Sequence, residues 1–398
     1  MHLSSLLSRY ILSELLKVFL VTLLGMTLVL LLAVIAQEAI RQGLGLLPII
    51  RLVPYFLPNA LVYAVPGTIL FAVCSVYGRM SADNEIIAAK SVGISPITFL
   101  APGFVLAFLI SLTAVWLNDV AASWGQSGVD RVVLQSVEQI AYGMLRTHHA
   151  YSSSRFSINV VDVEGRKLLH PTLTFHASED SPPFTLIAEE AELRLNADKT
   201  ALSILLTNSE FDWGEDWRGD IPGVAMQEIP LTAASRKGGS SSTPATAAMQ
   251  EIPRRIEDQE NYMQHMQQQY AAEAAYEMLT GEFGSLTGPK WSGNHLQLRD
   301  AQYQLYRLNL VPWRRWANGF SCLFFVLVGA PLAIRLRNAD IWTSFGLCFL
   351  PILLLYYPLL MYGLDRAKCG ALPPYSIWLG NLVLLAGGSW LVYRVLRR

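Results

Sequence analysis

The sequence predicts a membrane α-helical protein, six transmembrane helices in two blocks of three, with an antiparallel β jelly-roll domain inserted between the blocks. Three observations carry this. Of 398 residues, 52% are hydrophobic and only 15% charged, at a mean hydropathy of +0.34, whereas a soluble domain carries about 25% charged residues. The charges are absent from six stretches, each long enough to cross a hydrocarbon core of about 30 Å as a helix. Between the third and fourth stretch lie about 195 mostly polar residues, and part of them alternates apolar with polar as strands do.

The first span is the run Val18 to Ala36, between Lys17 and Glu38. It is too long and too weakly punctuated for a signal peptide, and no small-residue cleavage site follows it. The others are about 52 to 76, 97 to 117, 316 to 334, 341 to 364 and 375 to 393. Six spans put both termini on one side. Nine basic residues of the short loops and ends fall on that side (Arg9, Lys17, Arg79, Lys90, Arg335, Arg337, Arg394, Arg397 and Arg398), against Arg41, Arg51, Arg366 and Lys368 in the short loops opposite. The bias predicts cytoplasmic termini and an exported segment 119 to 313, and Trp116, Trp313, Trp316, Trp342, Trp378 and Trp390 near the span ends fit an interfacial belt.

The order of domains follows. Residues 1-118 hold spans one to three, with a short helix at about 79-93 between spans two and three. Residues 119-234 hold the β domain, 235-253 a flexible linker, 254-312 a helical segment, and 313-398 spans four to six. In the β domain Phe156, Ile158 and Val160 share a face, Glu164-Gly165 reads as a turn, Leu173 and Phe175 follow, and Leu193, Leu195, the turn Asn196-Ala197-Asp198, Leu202, Ile204 and Leu206 complete the pattern. An open end of so small a domain could accept an apolar ligand, and the same residues serve equally to fill its own core. The stretch SRKGGSSSTPATAAMQ has a linker's composition. Beyond it Ile256, Met263, Met266, Tyr270 and Met278 mark the apolar face of a helix, and a second helix, about His295 to Tyr306, leads into span four.

Several chemistries are excluded. A net charge of −1, from 30 basic and 31 acidic residues, does not suit a generally basic nucleic-acid binder. No Lys follows a Gly, so no Walker-type phosphate loop exists. C-x-x-C and H-E-x-x-H are absent, the seven His lack zinc spacing, and Gly125-Gln126-Ser127-Gly128 departs from the serine-hydrolase elbow. Cys74, Cys322 and Cys348 lie in spans and Cys369 in a short outer loop, so the exported segment has no disulfide framework. The expectation is that the chain is not an enzyme, with no catalytic residues, no metal and no bound cofactor.

Two groups of residues remain. The loop between spans two and three reads as a short helix with Ser81 as N-cap, Asp83 and Glu85 in its first turn, Gly93 as its stop and Pro96 opening span three. Ile86, Ile87 and Val92 are available for docking, and by itself such a helix serves equally as an inert connector. Span two carries Pro54, Pro58, Pro66 and Gly67 within 14 residues, with Asn59 as an interhelical hydrogen-bond candidate. This predicts a helix kinked or locally opened, as a packing device or a gate.

In the loop Gly78-Arg79 … Asp83-Asn84-Glu85-Ile86 … Gly93-Ile94-Ser95-Pro96, in the run Gly329-Ala330-Pro331-Leu332-Ala333-Ile334 followed by Arg335 and Arg337, and in its three-plus-three layout, the chain resembles the LptF/LptG (YjgP/YjgQ-like) permease subunits of the lipopolysaccharide-export ABC transporter. The resemblance covers nearly the whole chain; the stretch from about 235 to 290 is longer than the family leads one to expect. It implies an inner-membrane permease that extracts lipopolysaccharide from the outer leaflet and passes it to a periplasmic bridge for export to the outer membrane, along a periplasmic jelly roll. The loop helix becomes the coupling helix, with Arg79, Asp83, Glu85, Ile86, Ile87 and Gly93, and Glu85 matches the family's acidic contact to the ATPase. Implied partners are a cytoplasmic LptB-like ATPase dimer, which uses the ATP, a second six-span LptF- or LptG-like chain, and LptC/LptA-like bridge proteins. Arg41, Arg51, Arg314 and Arg315 flank outer span ends against the insertion bias. They are candidate contacts for lipid phosphates, or snorkel to ordinary head groups. Two other readings stay open: a non-transporting membrane-anchored scaffold or sensor with a β ectodomain, and export of another lipid-linked substrate.

Overall fold

The computed structural model describes residues 2–42, 46–125, 128, 137–152, 156–175, 184–195, 201–213, 217–230, 244–281, 288–336 and 340–397. Its helices are α1 (His2–Gln42), α2 (Leu46–Ala82), α3 (Glu85–Ser91), α4 (Pro96–Val120), α5 (Val137–His148), α6 (Ile252–Thr280), α7 (Pro289–Arg335), α8 (Ile341–Pro351), α9 (Tyr357–Lys368) and α10 (Leu379–Arg397). Among the described residues six segments are long and apolar enough to cross a membrane: Leu6–Gln37, Ile50–Ala82, Pro96–Gly125, Lys290–Arg335, Ile341–Lys368 and Pro374–Arg397. Residues group into two compact units, one of Met1–Leu30, Leu57–Trp124 and Thr243–Arg398, the other of Leu31–Phe56 and Gly125–Ser242.

In the first unit the core gathers Ile11 and Leu15 of α1, Ile69, Leu70 and Tyr77 of α2, Phe99 and Leu100 of α4, and Phe325 of α7. Leu20, Leu24 and Leu28 of α1, Val105 of α4 and Leu353 and Leu354 of span five stay exposed. Such an apolar exterior suits acyl chains. Small residues set the closest approaches. A Cβ on Gly319 would lie 2.8 Å from the Val115 backbone nitrogen, and one on Gly103 would lie 2.6 Å from the Tyr77 hydroxyl, which donates to the Phe99 carbonyl at 2.7 Å. Polar bonds add to this packing, as they do where no water competes. Buried Asn381 of α10 donates to the Ala317 carbonyl at 3.0 Å, and the Ser111 hydroxyl accepts from the Leu323 N–H at 3.1 Å.

The prolines of span two lie within one continuous helix, α2, from Leu46 to Ala82. Span five is interrupted: a π-helical turn, Ile352–Tyr356, stands between Pro351 and Pro358, and a proline lacks the N–H that keeps α-helical register. The second helix of the segment 254-312 and span four form one helix, α7, of 47 residues. At 1.5 Å per residue that is about 70 Å, over twice a hydrocarbon core.

Helix α6 lies back along the first half of α7. The packing face is Ile252, Ile256, Met263, Met266, Tyr270 and Glu277, at steps of three, four and seven, so Met278 falls outside it and is exposed. Glu277 is buried in its place, accepting from the Trp291 indole at 2.7 Å, while Tyr270 donates to Gln297 at 2.9 Å. Linker residues 235–243 lie outside the described residues.

Among its described residues the second unit holds one antiparallel sheet of eight strands: β1 (Ala150–Ser152), β2 (Phe156–Asn159), β3 (Asp162–Glu164), β4 (Lys167–Leu169), β5 (Thr172–Phe175), β6 (Phe184–Leu195), β7 (Ala201–Trp213) and β8 (Trp217–Pro230). Their order is β1-β2-β5-β6-β4-β3, with β7 on the other edge of β6 and β8 beyond it. The alternation is as read from the sequence: Ile158, Leu173, Leu193, Ile204 and Leu206 are buried together, and Gly165, at φ +63°, makes the β3–β4 turn after Glu164. The turn Asn196-Ala197-Asp198 lies outside the described residues. Helix α5, not expected from the sequence, caps this core with Leu145, and its Tyr142 hydroxyl accepts from the Leu193 N–H at 2.8 Å.

Candidate functional site

The first unit carries two arrangements that packing alone does not require. One is on the side of the chain termini. After α2 the chain turns through Asp83 and Asn84 into α3, with Asn84 left-handed at φ 60°, a conformation Asn tolerates better than most residues. The helix stops at Gly93, φ +86°, whose N–H bonds the Lys90 carbonyl, and Pro96 opens α4 as expected. Ser81 is not the cap. It belongs to the end of α2 and donates to the Ile334 carbonyl of α7 at 2.7 Å. Arg79 reaches Glu14 of α1 at 3.2 Å. Ile86 is buried in the unit's own core, so the outward apolar residues are Ile87 and Val92, beside half-buried Glu85 and exposed Asp83. Arg337 lies outside the described residues.

The other arrangement is at the opposite ends of the spans. A cavity of about 270 Å³ is lined by Val62, Tyr63 and Pro66 of α2, Arg314 and Phe325 of α7, and Leu360 and Met361 of α9. It meets, at shared Arg314 and Leu364, a second cavity of about 350 Å³ lined by Pro244, Ala245, Arg307, Leu310, Val311 and Lys368. A mainly apolar slot, with Asn318, Ser321 and Tyr356 also in its wall, thus adjoins three cations: Arg307, Arg314 and Lys368. None of the three makes an ion pair among the described residues, and no carboxylate lines either cavity. Pro66 withholds the N–H that the Val62 carbonyl would accept within α2, and both residues face this space.

The four arginines singled out in the sequence have separate surroundings. Arg314 is in the groove. Arg315, its neighbour, is turned into the protein at 4% exposure, paired with Asp119 at the end of α4 and donating to the carbonyls of Ala245 at 3.1 Å and Ala247 at 2.5 Å. Arg51 is exposed in the second unit, and the Arg41 side chain lies outside the described residues. Of the span-two residues, Pro66 lines the groove, Pro58 is buried, Asn59 half-buried and Pro54 exposed, and the position of Gly67 has open space beside it.

Arg307 and Lys368 are the groove cations that sequence reasoning did not single out as site residues. The signal for Arg307 was present, because residues 307 and 314 are seven apart, two turns along one face of a helix. Lys368 is joined to them only by the fold.

A family model described as "Lipopolysaccharide export system permease LptF/LptG" matches residues 9–394. No curated protein matches the chain.

Proposed function

The chain belongs to the LptF/LptG family of lipopolysaccharide export permeases, and from that premise we propose that it is one permease half of an ABC transporter in the bacterial inner membrane. It would draw lipopolysaccharide from the outer leaflet and hand it to a periplasmic bridge. The observation that carries this reading is the groove of Arg307, Arg314 and Lys368 above an apolar slot. A phosphorylated lipid needs that order of surfaces: paired guanidinium donors for phosphate, and apolar walls for the first methylenes of the acyl chains. Helix α3 supports the rest. Its inward Ile86 anchors it to the spans, while Glu85, Ile87 and Val92 form a small face of mixed character that an ATPase groove can cover.

The termini are then cytoplasmic and residues about 119-313 periplasmic, in the sense of the basic-residue bias. ATP would be used by a separate LptB-like dimer, a second LptF- or LptG-like chain would complete the path, and LptC/LptA-like proteins would receive the lipid. A photo-crosslinking amino acid at Tyr63, which is exposed at the mouth of the slot, tests the reading in the assembled transporter. Lipopolysaccharide adducts that ATP depletes are expected; adducts of ordinary phospholipid alone would refute it.

A further inference from the structure

We infer that Arg315 is a positioning residue for this groove: through its ion pair with Asp119 it fixes the face of α7 that presents Arg307 and Arg314 and holds in place the strand of chain that walls them. The inference rests on the lipid reading above and adds to it how the cations are held. Arg307, Leu310, Val311 and Arg314 are spaced at zero, three, four and seven along α7 and line one cavity. Arg315 is one residue on, about 100° around the helix, and is committed elsewhere. Its guanidinium pairs with Asp119 and donates to the Ala245 and Ala247 carbonyls, and the same Asp119 oxygen accepts the Met249 N–H at 2.9 Å. Ala245, held in this way, is itself part of the groove wall with Pro244. Beneath the clamp Ala247, Ile252 and Val311 are buried together.

The clamp sits where α7 most needs it. Pro312 lies within the helix, so the Leu308 carbonyl loses its donor one turn before the cations' outer end, and rotation there is less restrained by the helix itself. At 4% exposure, with donors on both Nη1 and Nη2 engaged, Arg315 is not available to a lipid phosphate.

The sign of one substitution separates positioning from direct contact. In the assembled transporter in nanodiscs, lipopolysaccharide crosslinking from a photoreactive residue at Tyr63 is measured for Arg314→Gln, Arg315→Gln, Arg315→Lys, Asp119→Asn and the Asp119→Asn/Arg315→Gln pair. Asp119→Asn keeps the volume and an acceptor for Met249. It is expected to lower capture by about the same factor as Arg315→Gln, the double variant to be no worse than either single one, and Arg315→Lys, which can still pair with Asp119, to recover most of the yield. Unchanged or increased capture in Asp119→Asn, beside a clear loss in Arg314→Gln, would overturn the positioning role and leave the groove reading standing. No loss in Arg314→Gln would overturn both. Equal loss in the Lys and Gln variants of Arg315 would also overturn the role of the pair. Should Arg315→Gln fail to assemble, Asp119→Asn and Arg315→Lys carry the same test.

Discussion

The Ser81 hydroxyl donates to the main-chain carbonyl of Ile334 at 2.7 Å, across 253 residues of sequence. The bond ties the end of α2, one residue short of the turn into α3, to the last turn of α7, whose middle presents Arg307 and Arg314. One continuous helix therefore reaches from the groove to the neighbourhood of the candidate ATPase contact. The bond also supplies a side-chain donor to one of the last carbonyls of α7.

Replacing Ser81 by Ala should cost about 1 kcal/mol of stability and, more tellingly, lower lipid-stimulated ATP hydrolysis while lipopolysaccharide binding stays near normal. Hydrolysis assayed with and without lipid in proteoliposomes checks this. Full stimulation in Ser81→Ala would show that the contact transmits nothing.

Glu85→Lys should weaken association with the ATPase while the chain still inserts, since losing one partner of a desolvated charge pair costs about 2 to 5 kcal/mol. Co-purification of the ATPase reads the effect directly. Normal assembly of the Lys variant would mean that Glu85 faces no cation.

Spans three and four should not tolerate added bulk at Gly319, where a Cβ would collide with the Val115 side chain and meet its backbone nitrogen at 2.8 Å. Overpacking of this kind costs about 1 to 3 kcal/mol. Gly319→Val should unfold at lower temperature than the parent in detergent, and Gly67→Ala, with open space around it, should not.

If the groove opens and closes, span five should move and span two should not, because the π-helical turn and its two prolines are in span five while α2 is uninterrupted. Spin labels at Tyr63 and Met361, both exposed at the groove, should change separation on nucleotide binding, whereas a pair within α2 should keep one distance. A constant distance across the groove would leave the turn as a packing feature.

The spans and the sheet were legible in the sequence because each depends on a local pattern: absence of charge over some twenty residues, or alternation about a turn such as Glu164-Gly165. The union of the helix from Pro289 with span four was harder to see. Arg314 and Arg315 interrupt hydropathy, not helicity, and a charge-free window ends where the helix continues. The two arginines look alike in sequence, yet a rotation of about 100° gives one a groove and the other a carboxylate. That carboxylate, Asp119, is 196 residues away, and no local pattern announces it. Ser81 shows the same limit. Its type and spacing fit an N-cap, but the tertiary acceptor at Ile334 took the hydroxyl and left Asn84 to begin α3 by its backbone conformation.

Arg314 offers the most direct test of the central claim, that this chain carries a phosphorylated lipid past a cationic groove at the expense of ATP used elsewhere. The transporter, assembled with its second permease chain and ATPase in proteoliposomes, is crosslinked to lipopolysaccharide from position 63 before and after ATP, with and without Arg314→Gln. The account predicts an adduct that ATP depletes in the parent and that is weak from the start in the variant. An adduct equally strong in both and unmoved by ATP would contradict it.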